Sequence, residues 1–494
     1  MDKIRESREP TFDPATLKLV AAFVGSLAIY ILAFTLPANL FKFYNRVGLD
    51  GYLLNSAGVW GYARLILAFA GLAILYIFAI RAASQTKSRS AWIIVIGGML
   101  TFILVLLFMA PFDALDIYDY VFYGRITAIY GGNPFQQVIV EFPKDPFFYY
   151  TVARAYPSAY GPLWEMLAGL TARLAGNGII TNVIAFKLLT GIFYLASVAV
   201  IGLFIYRTTP DKALPGILIL GWNPVALYET WGNGHNDMAM VFWVILAVSL
   251  INRKRYSLAT LSLVAGALFK YIPILLVPIA LLIGFYSLER FRTRLWFLFK
   301  TSLVGLSMIV VAYIPFWNGL ATFSIYRRMQ MYTTSIPTVI NLLLNKILVV
   351  WTSDRIVSFG ALGLLSLFIL YQLIRLRNQK PTWNFTQIAF NILAFYLMVT
   401  CLWFQQWYSV WLIGLAPLLS GRWRRLALLF GFWVLGKQLL FGPLIIHFIS
   451  PHPKLNFLVE PLLAITVLGG PWIYTLLNIH HTWKTNTTNL TLED

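Results

Sequence analysis

Apolar runs too long for a soluble core helix recur along this 494-residue chain, and short clusters of Lys and Arg separate them. About 20 apolar residues span a bilayer, and the backbone inside hydrocarbon must satisfy its own hydrogen bonds. Hydrophobic residues make up 59% of the sequence and charged residues 12%, which excludes an ordinary soluble domain. The sequence therefore predicts an all-α polytopic membrane protein. Its net charge of +19 reads as membrane topology: cytoplasmic loops collect Lys and Arg, so no nucleic-acid partner is implied.

The basic clusters are Arg81/Lys87/Arg89, Arg207/Lys212, Arg253-Lys254-Arg255, Arg290/Arg292/Arg294, Arg375/Arg377/Lys380 and Arg422/Arg424/Arg425. Placing all of them in the cytoplasm gives about 12–14 crossings, several of them short, with both termini inside. Residues 1–16 read as a polar cytoplasmic tail and 17–494 as one transmembrane domain. The run from Leu17 to Pro37 lacks a small-residue cleavage site and is expected to be a retained helix. Cys401 is the sole cysteine, and neither HExxH nor paired-His spacing occurs. No intramolecular disulfide and no zinc centre are expected.

Three carboxylates follow the run that ends at Met109-Ala-Pro111, in Asp113-Ala-Leu-Asp116-Ile-Tyr-Asp119-Tyr120. Acids at the mouth of a membrane helix are costly unless they face water or a site. A helix beginning near Asp116 would put Asp116, Asp119 and Tyr123 on one face. The preceding helix has Arg81, Lys87 and Arg89 at its other end, so the acids should lie outside the cytoplasm. They open an external loop over residues 112–182, rich in aromatics, in which Leu163–Leu174 suits an interfacial helix.

Ser257–Ser287 is apolar apart from Lys270, and both of its flanks are basic. As one straight helix it would run about 45 Å, beyond a hydrocarbon core of about 30 Å. A hairpin broken near Pro273 and Pro278 fits better, with Lys270 at its outward tip. There the ammonium either meets an anion or snorkels to the interface.

A site outside the cytoplasm has no ATP or nucleotide sugar, and the chain carries no P-loop or dinucleotide motif. No cofactor is expected. Group transfer there needs a donor activated in advance and delivered in the membrane, a condition that a lipid-phosphate-linked sugar meets. Its leaving group is already good, so one carboxylate acting as general base suffices, with cations beside the phosphate. Lys270 and the pair Arg327-Arg328 are candidate cations. Arg125 is a weaker one, because nine residues from Asp116 place it on the opposite helical face.

Asp116-Ile-Tyr-Asp-Tyr120, Tyr123-Gly-Arg125, Gly131-Gly-Asn-Pro-Phe135 and Tyr160-Gly-Pro-Leu163 resemble the first external loop of GT-C glycosyltransferases. The nearest likeness is to polyprenyl-phosphate-mannose-dependent α-mannosyltransferases of actinobacterial envelope synthesis. A weaker one is to the mannosyltransferase that starts the GPI-anchor glycan. Gly232-Asn-Gly-His235-Asn236-Asp237, Lys270-Tyr-Ile-Pro273 and Gln406-Trp407-Tyr408 with Pro417 extend the resemblance over Met109–Leu419.

The resemblance implies an inverting transfer of mannose from a polyprenyl-phosphate donor to a glycan or glycolipid acceptor outside the plasma membrane. It implies Asp116 as the base and Asp119 as its rival or an acceptor ligand; Asp113 reads as a helix cap. His235, Asn236 and Asp237 would bind sugar hydroxyls or start a helix. Trp407 and Tyr408 would stack on sugar or belong to the aromatic belt, and Tyr123 and Tyr160 join the sugar-binding candidates. The competing reading is a transporter or flippase for a lipid-linked sugar or small solute, whose polar groups should lie near the bilayer midplane.

Overall fold

In a computed structural model, residues 13–44, 58–112, 115–323, 331–378, 384–439, 442, 449 and 451–490 are described. The fold is all α, and only isolated bridges occur among the described residues. Seven described helices are long and apolar enough to cross a bilayer, and four shorter apolar helices accompany them. Leu67, Ile74, Ile93, Leu306 and Leu367 remain exposed on the long helices, as side chains facing lipid would.

Helix α1 (Pro14–Ile29) starts at Asp13, whose Oδ1 accepts from the Thr16 N–H at 2.6 Å. The same carboxylate accepts from Thr86 Oγ1 at 2.6 Å. That bond ties the start of α1 to the turn between α2 (Gly58–Ala83) and α3 (Arg89–Leu107). Past α3 the chain pairs with Ala38–Leu40, and the Ala110 N–H reaches the Ala38 carbonyl at 2.6 Å. It then enters α4, Asp116–Ala128, with Asp116 and Asp119 in the first turn. Acids there suit the positive end of a helix dipole. Asp113 lies outside the described residues.

Helix α4 is buried from Ile117 to Ile126 and packs on α5, Pro162–Ala175. Glycine permits the approach, since a Cβ at Gly124 would lie 2.4 Å from the Ala168 carbonyl oxygen. Between α4 and α5 the loop is anchored rather than loose. Asp145 pairs with Arg125 at 2.8 Å and accepts from Tyr130 Oη at 2.8 Å. Buried Glu165 accepts from Ser158 Oγ at 2.5 Å.

Helix α6 (Ile179–Thr208) carries fully buried Lys187, which donates to the Leu106 and Met109 carbonyls at the end of α3. A cation at the negative end of a helix is favourably placed. The chain continues through α7 (Ala213–Gly221), a π turn at Tyr228–Gly232 and α8 (Asp237–Asn252). The expected hairpin follows: α9 (Tyr256–Ala267), a short turn with Lys270, and α10 (Val277–Ser287). The break falls at residues 268–271, just before Pro273, because proline cannot continue a helix.

Two backbone bonds fasten this tip to the loop before α5: Gly161 N–H to the Phe269 carbonyl at 2.9 Å, and Leu163 N–H to the Leu268 carbonyl at 3.0 Å. Further along lie α11 (Phe291–Tyr313), α12 (Ile336–Leu344), α13 (Val350–Asn378) and α14 (Phe385–Phe395). Helices α15 (Ser409–Leu415), α16 (Gly421–Val434) and α17 (Val459–Leu490) complete the order. Helix α3 runs from Arg89 to the acidic loop and α8 from Asp237 to Arg253, so each has a basic cluster at the end away from the acids.

Gly124→Ala should force α4 and α5 apart and lower stability by about 2 kcal/mol, read as a drop in thermal midpoint in detergent. Gly97→Ala, where nothing lies within 4 Å, should leave the midpoint unchanged.

Candidate active site

A cavity of about 490 Å³ opens between the start of α4, the loop at 152–160, the hairpin tip and residues 403–411, with Met331 and Tyr396 completing its lining. Asp116, Asp119 and Tyr123 all line it, as their shared helical face requires. Lys270, Trp407, Tyr408 and Trp411 line the same cavity. The expected juxtaposition of acid, cation and aromatics is therefore present in three dimensions.

The two acids differ in their surroundings. Asp119 is buried and accepts from the backbone N–H groups of Val152 at 3.0 Å and Ala153 at 3.3 Å. It fastens the cavity loop to α4. The Asp116 side chain is 23% exposed, which leaves it the more open of the two to a bound hydroxyl.

Lys270 Nζ meets Asp237 Oδ1 at 2.6 Å and lies 4.5 Å from the Tyr408 ring centre and 5.3 Å from that of Trp411. Asp237 Oδ1 also accepts from Trp411 Nε1 at 2.5 Å. The ammonium is held by a carboxylate behind it while its side chain borders the cavity. Asn236 occupies the N-cap of α8 but makes no side-chain capping bond; its Oδ1 accepts from Tyr120 Oη at 3.4 Å. Burial of Tyr120 raises its phenol pKa well above the ordinary value, so it stays a donor.

His235 is 2% exposed and stacks on Trp407, with centroids 4.1 Å apart and planes 16° apart. It sits behind Trp407 rather than in the cavity wall. Two carboxylates face the ring and would favour its charged form. Burial, and after it the Lys270 charge, outweigh them and push the imidazole well below the usual histidine range. It is thus neutral at pH 7.

Other expected residues are distributed as follows. Tyr123 donates to the Tyr156 carbonyl at 2.8 Å, and Tyr160 packs edge-on to Tyr120; both line the cavity. Asp237 and Asn236 stand behind the lining and act through Lys270 and Tyr120. Arg125 does not reach the cavity. Helix α4 continues unbroken past Gly124, so Arg125 points away from Asp116 and is spent on Asp145, Asn177 and the Phe147 ring. Arg327 and Arg328 lie outside the described residues.

Several cavity residues were not singled out in the sequence: Tyr156, Tyr271, Gln405 and Trp411. Trp411 was accessible, since it stands one helical turn beyond Trp407. Glu229 and Lys187 are lone charges within apolar runs, which by itself signals a buried polar role.

The fold and site define an all-α polytopic membrane protein whose cavity gathers carboxylates, a lysine and aromatic rings. Comparison with known families is more specific. The model described as alpha-(1->6)-mannopyranosyltransferase, N-terminal domain, matches residues 19–285, more than half of the chain. The chain belongs to this family. It is also similar to alpha-(1->6)-mannopyranosyltransferase A of Corynebacterium glutamicum, at 26% identity over 193 residues. That alignment covers 38% of this chain and 38% of the relative, so the chain spans well under half the length of the curated protein it matches. No solved structure matches the chain.

Removing Asp237 as the partner of Lys270 should be costly. Asp237→Leu is expected to destabilise by about 3 kcal/mol, whereas Asp237→Leu with Lys270→Met should recover most of the loss. Thermal unfolding of the three purified proteins would check this.

Proposed function

We propose that this protein transfers a mannosyl group from a polyprenyl-phosphate donor to a hydroxyl of a glycan or glycolipid, outside the plasma membrane and with inversion at the anomeric carbon. The observation that carries this reading is that Asp116 and Lys270 both line one aromatic cavity. Family membership and the similarity to a mannopyranosyltransferase support the sugar. The separation of the cavity from the basic clusters supports an external site.

The chemistry follows from the walls. Asp116 removes the acceptor hydroxyl proton, and the oxygen forms a bond to C1 of the donor sugar. The C1–O bond to phosphate breaks on the opposite side, and its electron pair leaves with the phosphate. Lys270 stabilises the charge that develops there. One carboxylate is enough because a phosphate leaves without being protonated. Asp119 keeps the Val152–Ala153 loop in place and so shapes the acceptor side. Tyr123, Tyr160, Trp407 and Tyr408 supply edges and faces for sugar rings.

Purified protein supplied with synthetic polyprenyl-phosphate mannose and a mannoside acceptor would test the assignment. Asp116→Asn should lower transfer by at least about 100-fold, and Asp119→Asn should reduce it less. Undiminished transfer in both variants would remove the base from this motif.

A further inference from the structure

The π turn at Tyr228–Gly232 buries Glu229 completely beside the acidic end of α4. Asn233 Nδ2 donates to Glu229 Oε2 at 3.0 Å, and the His235 backbone N–H donates to the Glu229 carbonyl at 2.9 Å. Gly234, at φ +79°, lets the chain double back, and a Cβ there would lie 2.5 Å from Ile117 Cδ1. A left-handed glycine and a close approach together bring the His235 ring beside Asp116. Its Nε2 lies 3.5 Å from Glu229 Oε2 and its Nδ1 lies 3.9 Å from Asp116 Oδ2. Trp407, stacked on one face, fixes the plane of the ring.

We propose that His235, backed by Glu229, is a positioning residue for Asp116: it receives the proton that Asp116 takes from the acceptor. The proposal rests on the reading of Asp116 as base. In the resting state Nδ1 carries the lone pair and Nε2–H faces Glu229. During transfer the hydroxyl proton goes to Asp116, the new C1–O bond forms, and the electron pair of the broken bond leaves with the phosphate. The proton then passes from Asp116 to Nδ1, where Glu229 faces the imidazolium, and after the product departs it returns by way of Asp116 to water in the cavity. The 3.9 Å separation closes to a hydrogen bond when the acceptor is bound, as catalytic contacts do between free and bound forms.

Burial and the Lys270 charge keep the resting imidazole neutral and oppose its protonation, so the ring holds the proton only transiently, beside Glu229. The charged groups around the ring are Asp116 on α4, Glu229 on the π turn, Lys270 at the hairpin tip and Asp237 at the start of α8. Lys187 on α6 packs beside Gly234.

A merely structural His235 would serve as a plate under Trp407, and His235→Phe would replace it well. The test is the pH profile of kcat for wild type, His235→Phe and the isosteric Glu229→Gln, using polyprenyl-phosphate mannose. His235→Phe should lower kcat by about 10- to 100-fold with both KM values within about twofold. The acid limb should move to lower pH, because the pair loses one of its two proton-holding sites. Glu229→Gln should shift the limb in the same direction by less, and it carries the test if His235→Phe fails to fold. Wild-type kcat and an unshifted limb in these variants, with Asp116→Asn inactive, would overturn the relay and leave the base assignment standing. An active Asp116→Asn would overturn both.

Discussion

The ion pair between Lys270 and Asp237, at 2.6 Å, is the contact on which the cavity depends. An ammonium in a largely apolar helix hairpin is tolerable only with an anion beside it. Meeting that requirement joins the hairpin tip to the start of α8, and Trp411 joins α15 to the same carboxylate. The backbone bonds from Gly161 and Leu163 to the hairpin then carry the acidic loop onto that assembly. Four stretches far apart in sequence thus converge around one charge pair.

Much of this convergence was legible beforehand. The 3.6-residue period put Asp116, Asp119 and Tyr123 on one face, and the same period turned Arg125 away from them; both hold in the fold. The hairpin around Lys270 followed from its length and its two basic flanks. What the sequence did not reveal depends on the path of the chain between helices. The hold of Asp119 on Val152 and Ala153 needs a loop that returns over 33 residues. The retreat of His235 behind Trp407 needs the glycine turn at Gly234 and the π turn before it. No periodicity encodes such turns. Glu229 differs: a single acid in an apolar run signals burial, but not that it would face the His235 ring.

The structure also divides labour within the acidic motif. Backbone N–H groups occupy Asp119, while Asp116 stays more open and has a buried histidine at its back. Two carboxylates three residues apart thereby stand in different surroundings, one held by loop backbone and the other more exposed at the cavity. Such a difference comes from environment, since the two side chains are chemically the same.

The proposed reaction is a single displacement by a hydroxyl that Asp116 deprotonates, with phosphate leaving from the far side. The stereochemistry of the product tests it most directly. With a synthetic donor whose mannose is β-linked to polyprenyl phosphate, the product should be an α-mannoside, read from the anomeric one-bond carbon–proton coupling by NMR. A β-mannoside formed by the purified protein would contradict the single displacement, because retention requires a second nucleophile.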